Sequence, residues 1–163
     1  MAITAPELLT VNHNILSFSC GVQELDDWLK KKAIKNQSQN NAKVYVVTDS
    51  DTEQVVGYYA IAMGSVQREN AIGSFRRNSP NPIPMLVLAR LAVHIEYHRH
   101  SIGAGLLKDC VLRSVEAMNI VGGAGILVHA IDDPAKYFYK RFGFTESPID
   151  SMTLMVRIID IKS

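Results

Sequence analysis

From Pro84 to Val93 the chain runs Pro-Met-Leu-Val-Leu-Ala-Arg-Leu-Ala-Val, apolar throughout except for Arg90. A bilayer span needs about 20 such residues, so this run is too short to cross a membrane. It has the length of one strand, and a strand apolar on both faces has to be covered on both. The run therefore belongs inside a sheet flanked by helices. A polar bend, Arg99-His100-Ser101, follows it and leads into Ile102-Gly103-Ala104-Gly105. From there Leu107, Cys110, Val111, Ser114, Val115 and Met118 recur with helical period.

A chain of 163 residues has the length of a single domain, taken here as residues 1–163. Folding at this size buries roughly 70% of the unfolded surface, enough for a full core. The formal net charge is +1, so any affinity for nucleic acid has to come from a local patch. Cys20 and Cys110 read as free thiols of a reducing cytoplasm. Residues 1–20 lack a basic start followed by an apolar block, so a cytoplasmic protein without a membrane segment is expected.

The remaining pattern orders the elements. Residues 1–20 read as an extended lead-in with a short strand. Leu25, Trp28, Leu29 and Ala33 make one face of a helix over 23–38. Val44–Thr48 and Val55–Val66 read as a hairpin around Asp49-Ser50-Asp51. Charges and turn formers fill 67–82, a long exposed loop. Strand 84–93, helix 103–118 and strand 125–130 follow. Asp133-Pro134 opens a short helix that Gly143 closes, and 152–161 is a last strand. The order predicts an α/β (α+β) fold, with a mixed sheet of about six to seven strands and about four helices.

The glycine turn carries the first chemical signal. Helix N-termini leave N–H donors unpaired, and glycine lets a ligand approach the backbone closely. With the helix dipole they make an anion seat, to which Arg99, His100 and Ser101 add donors. The third glycine of the dinucleotide fingerprint is missing, as is the Gly-Lys-Ser/Thr ending of a P-loop. The second signal is the spacing Ala135-x-x-Phe138-Tyr139-x-x-x-Gly143-Phe144. On a helix Ala135, Phe138 and Phe142 share a face and should pack on the sheet, leaving Tyr139 to point into a cleft. His94, His98, His100 and His129 form no metal-ligand pattern, so no metal is expected.

Leu88 to Val93 followed by His100-Ser101-Ile102-Gly103-Ala104-Gly105 resembles the acetyl-coenzyme A motif of the GNAT N-acetyltransferases. In that family the motif reads Gln or Arg, two residues, Gly, any residue, then Gly or Ala. The resemblance implies that amides of Ile102, Gly103, Ala104 and Gly105 hold the coenzyme A pyrophosphate. It also implies that Leu91, Ala92 and Val93 pair with the pantetheine arm. His100 replaces Gln or Arg, and the adjacent Arg99 can compensate. The spacing around Tyr139 is similar to the family's second signature, with Phe138 at the cofactor. The implied reaction is attack of an amine on a thioester. A phenol of pKa ~10 suits protonation of a thiolate of pKa ~8.5, which makes Tyr139 the expected acid.

Further runs look like one subgroup: Phe18-Ser19-Cys20-Gly21, Glu24 to Leu29 followed by Ala33 and Asn36-Gln37, Val56 to Ala60, Pro82-Ile83-Pro84 and Leu127-Val128-His129-Ala130. These resemble the acetyltransferase toxins of type II toxin–antitoxin modules. That resemblance implies acetylation of the α-amino group on charged tRNA, which blocks translation. It also implies a ribbon-helix-helix antitoxin, with operator DNA bound only through that complex. A homodimer is expected. Lys31 and Lys35 would stack on one face of the first helix, and Arg76 and Arg77 lie in the long loop; these four are the expected tRNA patch. Lys32 falls inside the apolar stripe and has to snorkel. The alternatives are a GNAT enzyme acting on a small amine or a protein N-terminus, and a non-catalytic module that binds coenzyme A or a partner.

Overall fold

The structure is a computed structural model describing residues 2–77 and 79–162. Its strands are β1 (Glu7–Leu8), β2 (Lys43–Asp49), β3 (Gln54–Val66), β4 (Ile83–Val93), β5 (Gly125–His129), β6 (Thr145–Glu146) and β7 (Thr153–Arg157). Its helices are α1 (Gln23–Lys31), α2 (Ala33–Ser38), α3 (Gly73–Arg76), α4 (Ile102–Val121), α5 (Asp133–Arg141) and α6 (Ile158–Lys162). The seven strands form one mixed sheet in the order β1-β2-β3-β4-β5-β7-β6. Among the described residues no helix is long and apolar enough to cross a membrane. The chain forms two compact units.

The first unit comprises Met1–Ala62 and Arg90–Cys110. β2 and β3 form the expected hairpin, with Tyr45 opposite Tyr59 and a bulge between Val47 and Thr48. Leu25, Trp28 and Leu29 of α1 pack with Phe18, Val44, Val46 and Tyr58. The Tyr58 ring stacks on Trp28 at 6.1 Å, and its hydroxyl donates to the Leu25 carbonyl. Buried Asp26 accepts the Cys20 N–H at 2.9 Å. Burial first, and then Asp26, raise the Cys20 thiol to about 11, which leaves it neutral and unreactive. A side chain at Gly57 would meet Leu106 and Val47 at 3.0 Å, so glycine is what lets α4 lie this close to the hairpin.

The helix expected over 23–38 is two helices. Lys32 has φ −125° and ends the first. The second is aimed by Gln37, whose side-chain amide donates to the Leu9 carbonyl and accepts the Val44 N–H, both at 2.7 Å. This tertiary tie overrides a periodicity that would have continued.

The second unit comprises Met63–Ala89 and Val111–Ser163. β5 runs parallel to β4, pairing Gly125–Val128 with Met85–Leu88, and antiparallel to β7. The core gathers Val66, Ala71, Phe75, Ile83, Met85, Leu127 and Met155. The stretch 67–82 is therefore not a plain exposed loop, although Asn78 lies outside the described residues. It contains a 3₁₀ turn over Arg68–Asn70 and α3, because Ala71 and Phe75 are apolar anchors that bury. The last strand also stops early, at Arg157. Ile158 turns inward with its N–H on the Ala124 carbonyl, and Arg157 pairs with Asp160 at 3.0 Å across the first turn of α6. With the break at Lys32, α3 and α6, the described residues hold six α-helices where about four were expected.

Candidate functional site

α5 is cut to length by its own sequence. Its N-cap is Asp132, one residue earlier than expected, whose carboxylate accepts the Ala135 N–H at 2.8 Å. Its other end closes in a Schellman motif. The Gly143 N–H bonds the Lys140 carbonyl, the Phe144 N–H bonds the Tyr139 carbonyl, and Gly143 sits at φ +93°. The Phe144 ring then packs on Tyr139 at 5.8 Å, the apolar contact that accompanies this motif. The spacing Phe-Tyr-x-x-x-Gly-Phe is thus a mould that fixes Tyr139. Gly143→Ala should cost about 1–2 kcal/mol in chemical denaturation, since an alanine there must adopt the left-handed region.

The expected faces of α5 are corrected. Tyr139 is its buried residue, while Phe138 is half-buried and Phe142 exposed. The Phe138 ring bridges them, 5.3 Å from Tyr139 and 5.1 Å from Phe142. Lys136 and Lys140 hold Glu146 at 2.8 and 3.3 Å, tying the helix to β6 and keeping that carboxyl below its usual range.

α4 begins at Ile102, after Arg99 and Ser101 adopt φ of 71° and 59°. The Gly105 N–H bonds back to Ser101, so the preceding amides of Ile102, Gly103 and Ala104 are those the helix leaves for another acceptor. A Cβ at Gly105 would find nothing within 4 Å. Arg99, His100 and Ser101 are exposed around this seat. In β4, Leu91 and Val93 are half-buried and Ala92 is buried. The His98 ring donates to the Val93 carbonyl at 2.8 Å, a contact that no spacing in the sequence announced.

The second unit holds a cavity of about 360 Å³ beside the end of β5. His129, Thr153, Asp150, Gln67, Asn70 and Ser65 contribute to its wall. None of them was singled out as a site residue, because they come from four separate stretches.

Of the four basic residues expected to form a patch, Lys31 and Lys35 lie in different helices on either side of the break at Lys32. They do not stack on one helix face. Lys31 pairs with Asp27 at 3.6 Å. Lys32 does not sit in the apolar stripe; it is exposed and lines a cavity of about 520 Å³ with Lys31, Asp27, Trp28 and Arg90. There the Arg90 guanidinium lies 4.4 Å above the Trp28 ring. Arg76 is committed to backbone, donating to the Ala71 and Glu69 carbonyls, whereas Arg77 is exposed.

Known proteins share this architecture. The family model of the acetyltransferase (GNAT) domain matches residues 40–146. A tRNA-acetylating toxin of Mycobacterium tuberculosis is 39% identical over 98% of this chain and 95% of its own length. The structure of AtaT complexed with acetyl-methionyl-tRNAfMet superposes with a TM-score of 0.90 at 24% identity, covering 99% of this chain and 98% of that one. A mutant AtaT toxin bound to the C-terminus of the antitoxin AtaR and acetyl-CoA superposes with a TM-score of 0.83, also at 24% identity, over 98% and 96% of the two chains. The profile match takes in both the glycine turn and the tyrosine helix, and the Mycobacterium relative is alike along almost its full length; the chain belongs to the GNAT acetyltransferase family.

Proposed function

We propose that residues 1–163 act as one acetyltransferase domain that moves the acetyl group of acetyl-CoA to the α-amino group of the amino acid on charged tRNA. The observation that carries this reading is the 39% identity to a tRNA-acetylating toxin along nearly all of both chains. The protein is then a cytoplasmic toxin of a type II module that stops translation. Its partner is a ribbon-helix-helix antitoxin, through which alone it reaches operator DNA, and it works as a homodimer.

The residues present fit acetyl-CoA. The first amides of α4 and the open space at Gly105 suit a pyrophosphate. Leu91, Ala92 and Val93 offer main chain to the pantetheine, and Phe138 an apolar flank. When bound, acetyl-CoA supplies a thioester whose carbon takes the amine and whose sulfur leaves with the C–S electron pair. The amides of Ile102, Gly103 and Ala104 orient it, while Gly105, whose expected amide contact is spent on Ser101, leaves the space beside them open; Arg99, His100 and Ser101 lie around the phosphates. Tyr139 gives its phenolic proton to the departing sulfur.

Labelled acetyl-CoA incubated with the protein and bulk charged tRNA tests this. The label should appear as acetyl-aminoacyl adenosine after nuclease digestion; label confined to free amines or protein N-termini would replace the acceptor. Lys31, Lys35, Arg76 and Arg77 are read as the tRNA-facing charges. Arg76 also ties its loop, so the charge reversal to test is Lys31→Glu, Lys35→Glu and Arg77→Glu together. Acetyl transfer to tRNA should fall at least tenfold at about 0.15 M salt, with a shallower salt dependence than wild type. Hydrolysis of acetyl-CoA should stay within twofold. Equal tRNA rates would take these residues out of the RNA surface.

A further inference from the structure

His129 and Thr153 are direct cross-strand partners on β5 and β7. Their side chains meet, with His129 Nδ1 2.8 Å from Thr153 Oγ1. The Thr153 hydroxyl donates to Asp150 Oδ2 at 2.8 Å, and Asp150 Oδ1 accepts the Met152 N–H at 3.0 Å. These bonds fix the tautomer. A hydroxyl has one proton, and Thr153 has given its own to Asp150, so it must accept from His129 Nδ1–H. Nε2 of the neutral ring is then left with a bare lone pair. The Thr153 bond, and then the Met152 N–H, keep the Asp150 carboxyl below its usual range, so Asp150 stays an acceptor through neutral pH.

The position matters as much as the relay. β5 ends at His129, one residue past its last pair with β4, while β4 continues through Ala89 to Val93. His129 is exposed and forms part of the wall of the 360 Å³ cavity together with Asp150, Thr153, Ser65, Gln67 and Asn70. That volume is at the small end of ligand pockets and suits an amino-acid residue better than a nucleotide. Apart from His129, Asp150 is the only ionisable group among its described lining residues. Asp132 and Asp133 follow in the chain, with Asp132 committed to the Ala135 N–H.

We propose that this cavity receives a primary α-ammonium and its amino-acid side chain, and that His129 Nε2 takes the ammonium proton. The inference rests on the acceptor reading above. The ammonium N–H bond breaks and a proton moves to Nε2, freeing the nitrogen lone pair. That pair then forms the C–N bond as the C–S bond breaks. The second amine proton leaves to solvent; Tyr139, having protonated the sulfur, regains a proton from solvent and His129 gives its own up, so one proton is released per transfer. His129 is the catalytic base; Thr153 and Asp150 are positioning residues.

The test measures initial rates of acetyl transfer to bulk charged tRNA between about pH 6 and 9 for wild type, His129→Gln and Thr153→Val. An α-amine has pKa ~8, so a base is needed below that pH and superfluous above it. At pH 6.5 His129→Gln should be slower by about 10²-fold, within the usual range for a lost base. The deficit should shrink to under about tenfold by pH 9. Thr153→Val keeps the ring but frees its tautomer, and should show a smaller deficit with the same pH trend. Circular dichroism and acetyl-CoA calorimetry should match wild type in both variants. A deficit that stays constant across pH, or none at all, overturns the role of His129. Wild type that labels no tRNA at any pH overturns the acceptor reading itself and this inference with it.

Discussion

Tyr139→Phe should lose about 10²–10⁴-fold in turnover while binding acetyl-CoA as wild type does. The change removes one hydroxyl and keeps the ring. Its contacts with Phe138 at 5.3 Å and Phe144 at 5.8 Å depend on the ring alone, so α5 should close as before. Deleting one hydroxyl from this buried residue costs about 1 kcal/mol, which at this chain length lowers Tm by roughly 2–4 °C. The measurement pairs steady-state transfer with calorimetry of acetyl-CoA binding. A rate within threefold of wild type removes Tyr139 from proton transfer. A large loss of affinity instead makes it a binding residue.

Gly105→Asp should weaken acetyl-CoA binding by on the order of 10²–10³-fold. A carboxylate brought to about 4 Å from a pyrophosphate charge costs roughly 4 kcal/mol at the effective dielectric of a protein surface. The helix would still form, because a Cβ at this position meets nothing within 4 Å. Gly105→Ala is the control. It should bind acetyl-CoA within about threefold of wild type and gain up to about 1 kcal/mol of stability, since alanine is the better helix former. Unchanged affinity in Gly105→Asp would put the pyrophosphate elsewhere; a lost fold in Gly105→Ala would contradict the open space.

The sequence made the central strand, the hairpin and the glycine closing α5 legible, because each has a local cause. The run from Pro84 had to be sheet interior, and β4 spans Ile83–Val93. Gly143 is followed by a phenylalanine at the place where a Schellman closure puts its apolar contact, and both bonds are present. What failed had distant causes. Helix 23–38 breaks at Lys32 because Gln37 reaches Leu9 and Val44. α3 exists because Phe75 finds a core that its polar neighbours conceal. In the candidate site, both the glycine turn and Tyr139 are read from contiguous residues. The relay could not be, since His129 and Thr153 stand 24 positions apart and meet only through the β5–β7 register. The inward face of α5 was misread for a related reason. Spacing shows which residues share a face, but not which face the neighbouring strands leave open.

The seat at the start of α4 is made of amides, and substitution does not remove an amide. Drift across the exposed residues Arg99, His100 and Ser101 can alter the flanking donors while the donors of the helix itself persist. Under the proposed mechanism, single changes that silence a folded chain fall at few positions: Gly105 where the new side chain carries negative charge, Gly143, Tyr139, and His129 with its relay. A saturation library selected for inactive but folded protein should concentrate its missense changes there and leave most of the surface untouched. A cell that carries such a chain would find few single steps by which to silence it, and restraint by a bound partner then becomes more accessible than decay of the enzyme.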